Sequence, residues 1–490
     1  MSSSLKKQGT VAFLWDFFGK IAKQGMGFII TIILARLLDP SDFGMVAMIA
    51  VVVGIAQIFA DVGLAGALVQ RRRVLPVHYS SVFYFNIFIA SILSALLYLA
   101  APLISEFYKI EALLPIVEVM SISFVLNSLY TVQNAKLRKE LNYKLLSKIS
   151  LATAFCSGII GVILALYGYG VWSLVVSSLA HSVIFNIIIW KFSAWKPSLQ
   201  FSFKALSQLW GYGFRMFLSG LLDAIFTRLD YLLIGKLFAA DTLGFFQRAK
   251  SLNLFVVNFS SKSLMSVLFP VLSKIQNDLV RFQKVVLKGF GLLSFIVFLL
   301  LGLLYVSGEE IILLLFGEKW EQSIEYFQIL VLSGFAYPLS ALLVNVLSSR
   351  GNSKDFLKLE IIKKTIHTSE YIVLFYFGVI EYLYAVLIAS TIGTYVNIMF
   401  VSKEINIKKI DFVKPILGQA LIASISALIV HFLNLNIEFG LLIMLVIKSI
   451  EYLSLYFLIS WIFKTSSYLN AMEQVLPIIN KKFKLKLGES

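Results

Sequence analysis

The sequence has few residues of the kinds that build covalent or metal-based sites. Among its 490 residues there is a single cysteine, Cys156, which excludes an internal disulfide and any cysteine-rich metal site. The four histidines, His78, His181, His367 and His431, are scattered and lack an HExxH-like spacing. We therefore expect neither a metal site nor a cofactor.

Charged residues are also scarce. They make up 14% of the chain, against about 25% in soluble domains, while hydrophobic residues reach 59%. A soluble protein cannot bury so much apolar surface, so the class is a polytopic membrane protein. No hydrophilic segment exceeds about thirty residues, which leaves no room for a soluble catalytic domain. A membrane glycosyltransferase would need a large outer loop with catalytic acids, and the longest outer loop, 307–322, is short. We predict that the protein is not an enzyme.

Long apolar runs predict an all-α fold of about fourteen membrane-spanning helices. They cover residues 11–36, 42–69, 79–104, 112–134, 146–167, 170–190, 207–237, 242–271, 285–306, 323–348, 357–377, 380–401, 412–432 and 438–462. Alternate connections are basic, beginning with Arg71 to Arg73, and the intervening ones lean acidic. By the positive-inside rule both termini are cytoplasmic. The net charge of +16 is thus a topology signal, and we expect no nucleic-acid partner.

The chain carries a faint internal repeat. Residues 34–44 recur at 234–244, where a basic residue, a short turn and a glycine lie in register between two apolar helices. The repeat pairs the first two helices with the seventh and eighth, so both copies have the same orientation. This predicts two pseudo-symmetric six-helix lobes around a central cavity, at 1–204 and 205–402. Residues 403–490 would add an accessory helix pair and a basic tail.

Charged residues lie inside the predicted spans, where each costs about 2.5–3.5 kcal/mol on insertion scales unless it faces protein or water. On the first helix, Asp16, Lys20 and Lys23 share one face. One interpretation is an Asp16–Lys20 ion pair that leaves Lys23 to reach water, and the other is a cavity-facing site. Asp61, on the second helix, is either a counter-ion to these lysines or a coupling site for H⁺ or Na⁺.

The seventh helix carries four more charges. Arg215, Asp223 and Asp230 fall within about 80° of one another on a regular helix, and Arg228 points to the other side. Either Arg228 pairs with a neighbouring helix or the seventh helix is broken.

On the eighth helix, Arg248 and Lys262 share a face. The duplicated helices thus offer a net cationic interior, which favours an anionic cargo such as a phosphate head group. The predicted phosphate-binding residues are Lys20, Lys23, Arg215, Arg248 and Lys262. The residues predicted for ion coupling or charge pairing are Asp16, Asp61, Asp223, Arg228 and Asp230.

Several stretches together resemble one known family. They are LARLLDPSDFGMVAM, FADVGLAGALVQRR, AKLRKELNYKLLSKI, YGYGVWSLV, RLDYLLIGKLFAADTLGFFQRAKSL, LFPVLSKIQND and FGEKW. They resemble the polysaccharide-transport (Wzx-like) branch of the multidrug/oligosaccharidyl-lipid/polysaccharide exporter superfamily, and within it the colanic-acid and teichuronic-acid exporter group. The resemblance covers nearly the whole chain.

The resemblance implies a bacterial inner-membrane flippase. Its cargo would be undecaprenyl-pyrophosphate-linked oligosaccharide for surface polysaccharide, moved by alternating access, with polymerase and chain-length machinery as further partners. In the related peptidoglycan-precursor flippase, cations on helices 1, 2 and 8 serve the lipid pyrophosphate. Lys20 and Lys23 match that role, whereas the second helix here carries Asp61 instead of a cation.

Two questions stay open at this point. The alternative function is a cation-coupled drug or organic-cation antiporter of the same superfamily, which predicts an acidic membrane cluster. By family analogy, a lateral opening for the prenyl tail lies between helices 1 and 8 or between helices 2 and 7.

Overall fold

The computed structural model describes residues 3–275, 277–350, 352–437 and 439–473, and within these the side chains at 3–8, 10, 255–271, 273, 353 and 354 are outside the description. The described chain is helical throughout, without a strand, which confirms the predicted all-α class. Its helices are α1 (Ser3–Leu37), α2 (Pro40–Asp61), α3 (Leu64–Gln70), α4 (Pro76–Tyr108), α5 (Leu113–Ser121), α6 (Ser123–Lys139), α7 (Tyr143–Leu166), α8 (Val171–Phe192), α9 (Phe203–Leu237), α10 (Ala240–Ile275), α11 (Leu279–Val306), α12 (Gly308–Phe316), α13 (Gln322–Ser333), α14 (Ala336–Ser349), α15 (Ser353–Phe377), α16 (Val379–Glu404), α17 (Lys409–Leu433) and α18 (Leu441–Ile462).

Three of the predicted spans are interrupted. The second divides into α2 and α3 at Val62 and Gly63, which both have positive φ angles of 47° and 70°. The fourth divides into α5 and α6 at Ile122, and the tenth into α13 and α14 at Gly334 and Phe335. At each break the apolar sequence continues, so hydrophobicity alone does not reveal it.

Eleven helical segments within the described residues are long and apolar enough to cross a membrane. The predicted spans 207–237, 242–271 and 357–377 are helical, as α9, α10 and α15, but are not among these eleven. The multi-pass character is thus confirmed, whereas the count of fourteen stays a prediction. The charges on α9 and α15 explain why composition separates these two helices from the others.

The chain divides into two compact units, Met1–Gln247 (unit 1) and Arg248–Ser490 (unit 2). In unit 1, α9 packs against α2, α3 and α4, and α1 packs mainly against α7. The core of unit 1 near the α3–α4 connection is built from Leu64, Val82, Phe83 and Leu209. The lobe boundaries that the internal repeat suggests stay a prediction.

In unit 2, α17 and α18 dock on α11. Tyr452 and Tyr456 are fully buried, and their hydroxyls donate to the carbonyls of Phe298 and Phe295 at 3.2 and 3.0 Å. Gly302 of α11 leaves room for the Tyr452 ring. These contacts explain how the C-terminal helix pair joins unit 2.

A buried ion pair ties α18 to α12. The ammonium of Lys448 contacts Glu310, and their side chains are 16% and 4% exposed. Lys448→Met is expected to lower the stability of the protein by about 3–5 kcal/mol, because it leaves a buried carboxylate without its partner. Thermal unfolding in detergent measures this effect. Combining Lys448→Met with Glu310→Leu should recover most of the loss, and Lys403→Met, at an exposed site, serves as the control.

Candidate functional site

The charges of the first helix lie on the α1 surface, beside its contact with α7. Gly19 packs against the side chain of Ser147, whose hydroxyl donates to the carbonyl of Trp15 at 2.9 Å. Further along, Ile30 of α1 fills the space above Gly158 of α7. The small residues allow the two helices to approach closely, as is typical of membrane interfaces. They hold α1 in a fixed rotation.

The structure contains the Asp16–Lys20 ion pair of the first interpretation of helix 1. Lys20 pairs with Asp16 at 2.6 Å, and the two side chains are 74% and 31% exposed. Lys23 is exposed and, among the residues the structure describes, has no carboxylate partner. Lys23 is therefore a cation of α1 without a carboxylate partner among the described residues.

The helix carrying Arg215, Asp223, Arg228 and Asp230 is unbroken from Phe203 to Leu237. Of the two alternatives for Arg228, the structure contains the contact with a neighbouring helix. Its Nη1 donates to the carbonyl of Ala50 on α2 at 2.8 Å, and its guanidinium lies over Gly54. Arg228 thus has a local structural explanation.

Small residues bring α2, and the residues just after it, close to α9. Gly63 abuts the Gly213 carbonyl at one end, and Gly235 abuts Met48 at the other. Asp230 is 5% exposed and its carboxylate accepts the N–H of Tyr231. The helices α2 and α9 are thus in direct contact within unit 1.

Arg215 and Asp223 lie on the exposed part of α9. Neither forms an ion pair with another residue in the described part of the chain. Arg215 is followed by exposed apolar side chains such as Met216 and Leu218. Like Lys23, Arg215 is therefore a cation without a carboxylate partner among the described residues.

Asp61 is placed at the break between α2 and α3. Its Oδ1 accepts the N–H of Ala65 at 3.1 Å and the side-chain amide of Asn86 at 3.4 Å. Its partners in the described structure are thus neutral donors, and Lys20 and Lys23 are not among them. This arrangement caps the start of α3, since the first N–H groups of a helix need an external acceptor.

The two copies of the internal repeat touch each other within unit 1. Gly44 lies against the backbone carbonyl of Ala240, and Gly244 lies against that of Pro40. The contact is reciprocal, because each position of the first copy is 200 residues before its counterpart. A side chain on either glycine would collide with backbone, so only glycine allows this approach.

In unit 2, Arg248 is buried between aromatic rings. Its guanidinium lies 6.0 Å from the ring centre of Phe316 and 5.7 Å from that of Trp320. The FFQRAK and FGEKW stretches therefore meet in a cation–π contact. The Arg248 side chain is only 6% exposed, so in this structure it packs in the interior of unit 2. Lys262 lies outside the residues whose side chains are described.

Comparisons with known proteins establish the family. A family model described as "Polysaccharide biosynthesis protein" matches residues 33–325. The chain belongs to this family. Among relatives, the "Uncharacterized membrane protein in cps region" of Klebsiella pneumoniae is 24% identical, over 88% of this chain and 87% of that protein. The "Lipopolysaccharide biosynthesis protein WzxC" of Escherichia coli (strain K12) is 23% identical, over 68% of each chain.

The fold of this polysaccharide biosynthesis protein is shared with a solved flippase. The structure titled "Lipid II flippase MurJ, inward closed conformation" has a TM-score of 0.71 at 16% identity, covering 93% of this chain and 98% of that one. The predicted resemblance to polysaccharide exporters is confirmed by these relatives together with the family match. At this identity the likeness to MurJ concerns the fold alone.

Sequence reasoning missed the charged residues of α15 in this family member. Lys363 pairs with Glu360 at 2.5 Å, and His367 pairs with Glu370 at 2.6 Å. Glu370 is 5% exposed. The sequence did contain a signal for these contacts. Inside a predicted span, Glu360 precedes Lys363 by three residues, and His367 precedes Glu370 by three residues. The described residues hold no group of three His, Cys, Asp or Glu side chains placed to bind a metal ion.

Proposed function

We propose that the protein is a flippase for undecaprenyl-pyrophosphate-linked oligosaccharide, serving surface polysaccharide biosynthesis. The observation that supports this most directly is that Lys23 and Arg215, on membrane helices of unit 1, are exposed and have no carboxylate partner among the described residues. They occur in a polysaccharide biosynthesis protein whose fold is that of a lipid II flippase.

The cargo chemistry explains why such cations are useful. A lipid with a diphosphate and several sugars cannot cross hydrocarbon unaided, because its charges and hydroxyls would lose their hydration. Lysine and arginine bind phosphate through charge-assisted hydrogen bonds. Lys23 and Arg215 would hold the diphosphate while the prenyl chain stays in lipid, and Lys20 would join them when released from Asp16.

The finer features of the mechanism are part of the same proposal. Transport would proceed by alternating access in the bacterial inner membrane, with both termini in the cytoplasm, as the alternation of basic connections indicates. Coupling to H⁺ or Na⁺ would involve acids of the membrane helices, for which the half-buried Asp61 and the buried Asp230 are the candidates in unit 1. Arg248 and Lys262 stay candidates for the cavity, and polymerase and chain-length proteins are the expected partners downstream.

Reconstitution tests the proposal directly. The full chain is placed in liposomes with fluorescent undecaprenyl-pyrophosphate oligosaccharide, and a membrane-impermeant quencher reports the labelled lipid in the outer leaflet. We expect the accessible fraction to rise only in liposomes that contain the protein. Absence of flipping together with proton-driven efflux of a cationic dye would overturn the proposal and assign the protein to the antiporter class.

A further inference from the structure

An apolar groove opens on unit 1 where α3, α4 and α9 meet. It has a volume of about 410 Å³ and is lined by Leu64, Phe85, Phe203, Leu206, Ser207, Trp210 and Gly211. Apart from the Ser207 hydroxyl, its side chains are aliphatic or aromatic. Phe203 and Trp210 are 77% and 43% exposed, so the groove reaches the protein surface. Its shape and composition suit a hydrocarbon chain.

The groove lies next to the connection that carries three successive arginines. The guanidinium of Arg71 donates to the side chain and the backbone carbonyl of Gln208, one residue beyond the groove-lining Ser207. His78 accepts the N–H of Leu75 on Nδ1, so its Nε2 donates to the same Gln208 side chain at 3.1 Å. This network fixes the arginine-bearing loop against the first turns of α9.

The rim of the groove is strongly cationic. Arg72, Arg73 and Lys204 are exposed, and Lys204 directly follows Phe203 of the groove. In the part of the chain that the structure describes, Arg71 to Arg73 and Lys204 have no carboxylate partner. Lys139 adds a further cation beneath the loop, where it caps the α3 carbonyls of Leu68 and Val69 at 3.0 and 3.3 Å.

We propose that this groove binds one anionic phospholipid of the leaflet that faces the basic loops. The acyl chain would lie along Phe85, Trp210 and Gly211, and the phosphate would contact Arg72, Arg73 and Lys204. Charge complementarity selects this occupant, since an apolar channel that ends at unpaired cations matches a lipid with an anionic head. Exposed aromatic rings at the boundary between the two parts are typical of the membrane interface. The site is separate from Lys23 and does not depend on the proposed transport activity.

Contact with Trp210 gives a direct measurement. The full chain is placed in nanodiscs containing phosphatidylglycerol or phosphatidylcholine with a brominated acyl chain, because bromine quenches tryptophan fluorescence on contact. The chain has seven tryptophans, so the Trp210 signal is taken as the difference between the wild type and Trp210→Phe. We expect the phosphatidylglycerol probe to quench Trp210 at a mole fraction about 100-fold lower than the phosphatidylcholine probe, since each of the three cations Arg72, Arg73 and Lys204 contributes about fivefold. Trp461, which is 60% exposed on α18, serves as the control for quenching by lipid that contacts the protein outside the groove.

Two variants separate the groove from its rim. A Cβ at Gly211 meets open space, so Gly211→Leu should fill the groove without disturbing the fold and should remove the Trp210 quenching. Arg72→Gln combined with Arg73→Gln and Lys204→Gln should keep the quenching and abolish the preference for the anionic probe. Equal quenching by both probes in the wild type, or quenching that survives Gly211→Leu, would overturn the proposal. Displacement of the probe by undecaprenyl phosphate but not by unlabelled phosphatidylglycerol would also overturn it, by assigning the groove to the prenyl chain.

Discussion

Lys23→Ala is expected to lower the flipping rate in liposomes by about 10- to 150-fold, which is the loss of one hydrogen bond to a charged group worth about 1.5–3 kcal/mol. Lys23 is exposed and is not neutralised by a carboxylate in the described structure. Its removal costs little stability, since no packed partner is lost. The amount of protein in the membrane should therefore stay normal while transport falls.

Companion variants make this expectation specific. Arg215→Ala should have an effect of the same size for the same reason, whereas Lys20→Ala should have a smaller one because Asp16 already holds that ammonium. Lys196→Ala, in the exposed connection before α9, is the matched control and should flip at the wild-type rate. Normal export by Lys20→Ala, Lys23→Ala and Arg215→Ala together would refute the cationic mechanism. Loss of the proteins from the membrane would mean that these charges serve folding.

Gly44→Ala and Gly244→Ala are expected to reduce transport to a similar extent, because each places a methyl group against a backbone carbonyl that cannot move aside. Overpacking of this kind costs about 1–3 kcal/mol, enough to shift a two-state equilibrium about 5- to 150-fold. On the predicted topology the two turns lie on the non-cytoplasmic side. The substitutions should therefore disfavour the conformation in which that side is closed.

Chemical labelling tests the direction of this shift. In a background with Cys156→Ser, Ala240→Cys places a thiol at a half-buried position in the contact. A membrane-impermeant maleimide should label it faster when Gly44 or Gly244 is replaced by alanine. Gly25→Ala and Gly418→Ala, where a Cβ meets open space, should change neither labelling nor transport. Unchanged transport in the Gly44 and Gly244 variants would show that the contact is not part of a moving closure.

Most of the helices could be predicted from the sequence. An apolar run long enough to cross the hydrocarbon layer has few structures other than a helix available to it. It did not predict the breaks within the second, fourth and tenth spans. At Val62 the break depends on a positive φ angle of 47°, and no change in hydrophobicity accompanies the break at Ile122.

The charged residues show the same limit. The Asp16–Lys20 pair could be anticipated from its spacing of four, whereas the contact of Arg228 with Ala50 depends on how α2 and α9 approach. The sequence suggested Asp61 as a counter-ion to Lys20 or Lys23 because their charges are opposite. In the structure, Asp61 instead accepts hydrogen bonds from the N–H of Ala65 and the side-chain amide of Asn86. The cation–π position of Arg248 depends on a motif about seventy residues further along the chain, which no local pattern connects to it.

The reciprocal contact at Gly44 and Gly244 has the form of an isologous interface. In a symmetric homodimer, residue i of one subunit meets residue j of the other, and j meets i in return. Gly44 with Ala240 and Pro40 with Gly244 satisfy this relation within one polypeptide. The contact thus has the geometry of a twofold axis within a single chain. Because the two halves of the contact are equivalent, a glycine is required on both sides of that axis.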